Sequence, residues 1–229
     1  MSVKYYENLI QGSEEWKNAR LGIVTASQAG KLTTPKTRKI ANNGDSRGIV
    51  YEKVAERITG RPDDFFKSKH MDNGTLFEPF ARDLYNDKKA PVKEMGFIVR
   101  DFGAFKIGYS PDGLVDSDYL DDGPGLIEVK CPTRNVHLEG IDTGEIPAMY
   151  TMQMQTGMLV TGRAWCDYVS YFNGMKMNII RMYADEDLQD LIVEAVGVFE
   201  TRVVECIEDY NVKTINMPLA PFIEAENHE

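Results

Sequence analysis

Two short stretches constrain this chain more than any others. The first is Gly108-Tyr-Ser-Pro-Asp112-Gly-Leu-Val115, and the second is Gly125-Leu-Ile-Glu128-Val-Lys130-Cys-Pro132. Residues 126–130 alternate and are rich in branched side chains, which predicts a strand. Side chains repeat every two residues along a strand, so Glu128 and Lys130 share one face and Val129 takes the other. Asp112 follows a second apolar run, 104–109, and lies in a Ser-Pro-Asp-Gly turn. An acidic, glycine-containing loop, 116–124, separates the runs. Two strands joined by that loop form a hairpin, which predicts that Asp112 and Glu128 lie together.

Two carboxylates and a lysine on one small surface suit phosphodiester hydrolysis. Mg²⁺ takes oxygen ligands, usually one or two carboxylates with waters and phosphate oxygens. Asp112 and Glu128 supply the carboxylates, and the backbone carbonyl of Val129 could be a further ligand. A bound cation polarises phosphate and lowers the pKa of its water. Lys130 can orient or deprotonate that water, or steady the charge on phosphorus. Taken singly, each residue also suits a solvated surface hairpin. The spacing is permissive, so the triplet alone is only moderately specific.

A chain of 229 residues can bury one substantial core, and no linker or repeat divides it, so a single domain over 1–229 is expected. No apolar run approaches the roughly 20 residues that span a bilayer. The start, Met-Ser-Val-Lys-Tyr-Tyr-Glu, has no signal-peptide core. Cys131, Cys166 and Cys206 form no CxxC pair, which favours reduced thiols in a cytoplasm. His70, His137 and His228 are scattered, which argues against zinc.

A net charge of −10 looks unsuited to a polyanionic partner, but its distribution matters more. Residues 31–70 hold ten Lys/Arg against five Asp/Glu, whereas 182–229 hold two against twelve. The basic part includes 31–48, read as a mobile loop over the site. Lys36, Arg38 and Lys39 are its candidate phosphate contacts, and a solvated loop tip fits them equally well.

Ser13 is the expected N-cap of a short helix over 13–20, and Thr25 or Ser27 stands near the start of another over 25–32. A hydroxyl at a helix N-terminus, with an arginine beside it, can hold a phosphate. On the residues alone, Arg20 and Ser27 read more readily as a surface arginine and a cap. Trp16 is expected to pack in the core. Apolar spacing predicts helices over 49–58, 72–86, 146–160 and 185–209. Pro79 fits best in a first turn, and Thr75-x-x-Glu78 has the form of a capping box. Strands are expected over 92–99 and 104–109, which with 126–130 make an antiparallel meander. Strands over 163–172 and 177–183 flank Asn173-Gly174, a hairpin signal.

Several segments together resemble bacteriophage lambda exonuclease and its YqaJ-type viral recombinase relatives, within the PD-(D/E)xK nuclease superfamily. They are Trp16-x3-Arg20-Leu-Gly-x2-Thr25-Ala-Ser27, Gly74-x3-Glu78, Ser110-Pro-Asp112-Gly, Glu128-x-Lys130-Cys-Pro and Tyr150-x2-Gln153-x-Gln155. They follow the family's order and similar spacing from about residue 10 to 175; the last fifty residues match no motif. The resemblance implies an α/β fold with a restriction-endonuclease-like core, a mixed central β-sheet flanked by helices. It implies Mg²⁺-dependent 5′-to-3′ digestion of one strand of linear double-stranded DNA to mononucleotides, with two ions and with Mn²⁺ able to substitute. Asp112, Glu128 and Val129 would bind metal with Glu78 contributing. Lys130 would activate water, with Gln153 reaching that lysine or its water. Arg20 and Ser27 would hold the 5′-phosphate, and Met71 falls where the family places an apolar wedge. A ring-shaped homotrimer, a single-strand annealing protein as partner, and a phage or prophage enzyme acting in the bacterial cytoplasm are also implied. The triplet alone equally suits a structure-specific or restriction-type endonuclease, and a silent DNA-end binder is the rival from another class.

Overall fold

The computed structural model describes residues 2–34, 37–62, 69–116 and 122–223, with the backbone alone for 69–75. In chain order the first elements are β1 (Ser2–Tyr6), α1 (Glu14–Ala19), β2 (Val24–Thr25), α2 (Ala26–Ala29), β3 (Thr33–Thr34), β4 (Lys39–Ile40), α3 (Gly44–Thr59) and α4 (Lys69–Lys88). They are followed by β5 (Phe97–Asp101), β6 (Lys106–Tyr109), β7 (Gly113–Val115), β8 (Gly125–Lys130), α5 (Arg134–Thr143), α6 (Ala148–Thr161), β9 (Trp165–Ser170), β10 (Asn178–Tyr183) and α7 (Glu186–Lys213). Among the described residues, no helix is long and apolar enough to cross a membrane.

Among the described residues, eight strands form two mixed four-stranded sheets, ordered β1-β5-β6-β2 and β10-β9-β8-β7, with helices packed on them, and β3 pairs with β4 alone. In the first, β2 runs parallel to β6 and the other pairs are antiparallel. In the second, β8 and β9 are parallel, because α5 and α6 carry the chain back between them. The expected meander therefore holds for its first two strands, which pair antiparallel, and is corrected at the third. The strand over 104–109 belongs to the first sheet, and the hairpin partner of β8 is the three-residue β7. Asp112 sits where the chain leaves one sheet for the other.

Strand β8 is buried on both faces, and its alternation partitions the core. Leu126 joins a large cluster with Met152, Met154 and Met158 of α6, Ile192 and Phe199 of α7, and Ile107 and Tyr109 of β6. Ile127 and Val129 join a smaller cluster with Ala81 and Tyr85 of α4 and Trp165 and Val169 of β9. Glu128 and Lys130 thus face α6, as the two-residue period requires.

Helix α4 departs from expectation at both motifs that bear on its start. It begins at Lys69, so Thr75 lies in its interior and the capping-box reading of Glu78 falls. Pro79 lies mid-helix, not in a first turn. A mid-helix proline removes one backbone bond at a cost of about 3 kcal/mol. Burial of Ala81 and Tyr85, both 0% exposed, offsets it. The strand expected over 92–99 shortens to β5, with only a bridge from Lys93 to Leu114 before it. The expected loop over 31–48 instead holds the β3–β4 pair and the first turn of α3, which Asn43 caps.

Candidate active site

The end of the β7–β8 ladder creates the site. The last register pair joins Gly113 to Ile127, so β8 runs three residues past its partner's end. The Val129 N–H that would continue the ladder donates instead to Asp112 Oδ2 at 2.7 Å. A strand residue's N–H and C=O point to the same edge, so the Val129 carbonyl also looks toward the Asp112 side. The predicted pairing of Asp112 with Glu128 is present, but a strand end makes it, not a long hairpin.

Glu128 is 1% exposed and holds three donors. Lys130 Nζ lies 2.5 Å from Oε1, the Gln153 side-chain amide also donates to Oε1, and the Tyr109 hydroxyl donates to Oε2 at 3.2 Å. Gln153 therefore reaches the carboxylate rather than the lysine. Tyr109 gets there because Gly157 of α6 lies against its ring: a Cβ at that position would be 2.7 Å from the ring. Lys130 also sits 5.4 Å from the centre of the Tyr150 ring. Glu78, from α4, lines the same cleft and is paired with Arg82 at 3.0 Å.

The electrostatics are those of crowded carboxylates. Burial, then the charge of Glu128, pushes the Asp112 carboxyl well above its ordinary value; Lys130 and the Val129 N–H act against this. Glu78 is pushed up by burial, with Arg82 and Lys130 opposing and Glu128 adding to the rise. Burial works to lower Lys130, but the Glu128 and Asp112 charges outweigh it and hold the ammonium above its usual value. Lys130 is thus a firmly protonated donor in this arrangement.

Among the described residues, no three Asp, Glu, His or Cys side chains form a ready cage. What the site offers is two carboxylates, the Val129 carbonyl edge, and a third carboxylate in Glu78. Such a sparse, hard oxygen set suits Mg²⁺, which keeps several waters. Repulsion that raises Asp112 and Glu78 is also what a cation would relieve. The residues fit a divalent ion of this class.

A second half of the site lies on the turn between α1 and α2. Ser13 caps α1 by accepting the Trp16 N–H, as expected, and Thr25 caps α2. Trp16 is not core: it lines the cleft, and its Nε1 donates to Ser110 Oγ at 3.0 Å. The Arg20 guanidinium stacks on its ring at 3.9 Å, and Nη2 reaches Thr25 Oγ1 at 3.5 Å. Arg20 makes no ion pair among the described residues. Burial lowers it to about 10, with Glu56 and Glu52 partly restoring it, so it carries its charge at neutral pH. Helix α2 has only four residues, so an anion here would depend on Arg20 and the Ser27 hydroxyl rather than on a helix dipole.

One cleft of about 670 Å³ joins the two halves. Arg20, Ser27, Glu78, Asp112, Glu128, Val129, Lys130 and Gln153 all line it. Arg38 and Lys39 do not. Arg38 is bound to Asp185 and Asp187 at the start of α7, and Lys39 is exposed in β4. Lys36 lies outside the described residues, as does the Met71 side chain. Sequence reasoning missed Tyr109 and Ser110 as site residues, although both stand beside Asp112. It also missed Trp16, where the stacked arginine four residues on was the available signal.

Residues 15–164 match the YqaJ-like viral recombinase domain. No curated protein matches by sequence. An alkaline exonuclease, LHK-Exo from Laribacter hongkongensis, is similar in structure, with a TM-score of 0.76 and 33% identity over 90% of this chain and 100% of that one. The same enzyme in complex with dAMP gives 0.75 and 34%, with the same coverage. A phage-related exonuclease from Haemophilus somnus 129PT gives 0.60 and 16%, over 85% of this chain and 99% of that one; it speaks to the fold alone. The expected restriction-endonuclease-like α/β fold is the one these structures share.

Proposed function

The chain belongs to the YqaJ-like viral recombinase domain family, a nuclease and recombination family, and from that premise we propose a specific reaction. The protein is a Mg²⁺-dependent exonuclease that digests one strand of linear duplex DNA in the 5′-to-3′ direction from a 5′-phosphorylated end. It releases mononucleotides. The observation that carries this reading is the shared cleft: a carboxylate–lysine cluster and Arg20 open into one space. An end phosphate on Arg20 and Ser27 would be tied to the chemistry through the Arg20–Trp16–Ser110 stack, two residues from Asp112. The structure of LHK-Exo with dAMP, a mononucleotide, supports the product class.

Asp112, Glu128 and the Val129 carbonyl would hold the cation, with Glu78 available for a second, and Mn²⁺ would substitute. When bound, the cation supplies charge for the phosphate oxygens and a more acidic water. The chain's own residues do the rest. Gln153 and Tyr109 fix the Glu128 carboxylate from both oxygens. Lys130 is held as an ammonium by Glu128, and a cation sharing that carboxylate would free it to orient water or meet charge at phosphorus. Family membership further supports a closed trimer, in which threaded DNA would be digested processively, and an annealing protein that takes the exposed strand.

Digestion of linear duplexes with a 5′-phosphate on one strand, both or neither tests this, with closed circles as control. Loss of only the phosphorylated strand is expected, with circles intact. Cut circles would establish the endonuclease reading instead. End binding without cleavage in any divalent metal would leave a binding module. Elution as a monomer near 26 kDa would end the trimer proposal.

A further inference from the structure

Behind the cleft lies a buried charge network that the reaction does not use. Lys53 of α3 is 3% exposed, and its ammonium is 2.8 Å from both Glu52 and Glu56. Glu56 accepts the Gly22 N–H at 2.6 Å, and Arg57 donates to the Gly22 carbonyl at 2.7 Å. Glu52 accepts from Gln28 Nε2 at 2.9 Å. The network therefore grips the turn that carries Arg20 at Gly22, and grips α2 at Gln28.

The polarity of these bonds is fixed by chemistry. A carboxylate only accepts, so Gln28 must turn its amide nitrogen to Glu52 and its oxygen to Thr25. That oxygen lies 3.2 Å from both the Thr25 backbone N and its hydroxyl. Around the Thr25 hydroxyl stand Arg20 Nη2 at 3.5 Å, the Ser27 hydroxyl at 3.2 Å and Gln28 Oε1. Arginine can only donate and the amide oxygen can only accept, so the Thr25 proton goes to Gln28. Its lone pairs then face Arg20 and Ser27.

We propose that Gln28 and Glu52, oriented by buried Lys53, are positioning residues for 5′-phosphate specificity. They fix the Thr25 hydroxyl as the acceptor that holds Arg20 and Ser27 around one point. An arriving phosphate takes over the donors that Thr25 has kept aimed, so little rearrangement is needed on binding. This rests on the assignment of Arg20 and Ser27 to the phosphate.

The test compares Gln28→Met, Glu52→Ala and Arg20→Ala with the wild-type protein. The readout is the ratio of kcat/KM on 5′-phosphorylated and 5′-hydroxyl duplex ends. Gln28→Met is expected to lower the ratio roughly fivefold to tenfold, the effect of one or two misdirected hydrogen bonds. The rate on 5′-hydroxyl ends should stay at the wild-type value. Glu52→Ala should move the ratio the same way. It leaves Lys53 paired with Glu56, so it carries the test if Gln28→Met fails to fold. A wild-type ratio in both variants overturns the proposal, as does an equal slowing on both ends. A preference lost in Arg20→Ala but kept in the other two overturns the relay alone. No preference in the wild-type protein overturns the phosphate assignment and the relay with it.

Discussion

Asp112 takes the place of a strand: its carboxylate accepts the Val129 N–H at 2.7 Å, where the β7–β8 ladder has run out. One side chain therefore closes a sheet edge and lines the cleft.

Its charge comes at a cost to stability. The carboxyl titrates well above its ordinary 3.8, mainly because it is buried and close to Glu128. Below that ordinary value both folded and unfolded chains are protonated, and the group is neutral in its effect. As pH rises, the unfolded chain releases the proton first, so stability falls until the folded group has ionised too. Asp112→Asn keeps the acceptor for Val129 and removes the charge. It should raise stability by roughly 1–2 kcal/mol at neutral pH and above, with no gain near pH 3, while abolishing cleavage. Melting curves across pH check the sign. Mg²⁺ should raise the wild-type melting temperature and leave that of the variant unmoved.

Lys130→Met removes the ammonium on Glu128 but keeps the side chain's length. Cleavage should fall on the order of 10²-fold or more, with DNA-end binding retained. Steady-state rates and a binding titration without divalent metal separate the two effects. Wild-type cleavage would take Lys130 out of the reaction.

Arg20 lies over the Trp16 ring, its guanidinium carbon 3.9 Å from the ring centre. Arg20→Ala should cut the preference for phosphorylated ends by about tenfold or more. Arg20→Lys should restore little of it, because an ammonium neither stacks as a plane nor offers a fork. Competition between phosphorylated and unphosphorylated duplexes measures both. Full rescue by lysine would reduce the site to a point charge.

Gly157→Ala puts a methyl 2.7 Å from the Tyr109 ring. Overpacking of this kind costs about 1–3 kcal/mol, and the tyrosine would be driven off Glu128. Both melting temperature and cleavage should drop. Tyr109→Phe should lower cleavage with a smaller loss of stability. Wild-type cleavage in Tyr109→Phe would mean that the hydroxyl does nothing for Glu128.

The local code of this site was legible and its context was not. Alternation in 126–130 placed Glu128 and Lys130 on one face because side-chain direction follows from the strand period alone. Ser13 was readable as a cap, and Thr25 or Ser27 as the start of the next helix, because capping is decided within four residues. What failed were inferences that needed partners. The run over 104–109 has the same pattern whichever sheet it joins, so its antiparallel pairing with the strand before it was readable, but its pairing with β2 in place of β8 was not. Pro79 marks a helix start by propensity, yet burial of Tyr85 carries α4 through it. Arg38 in a basic run looks available for phosphate until α7 brings Asp185 and Asp187 beside it.

The crossing of Asp112 between sheets has a consequence for the cell that makes the protein. Arg20 and Ser110 arrive with the first sheet, Glu128 and Lys130 with the second, and Gln153 only with the crossover helix that returns to β9. A nascent chain that has emerged as far as Lys130 carries every charged group of the site, yet lacks α6 to fix Glu128 and β9 to hold the strand. Cutting competence therefore comes late in synthesis. Truncated products ending before α6 should therefore show no nuclease activity.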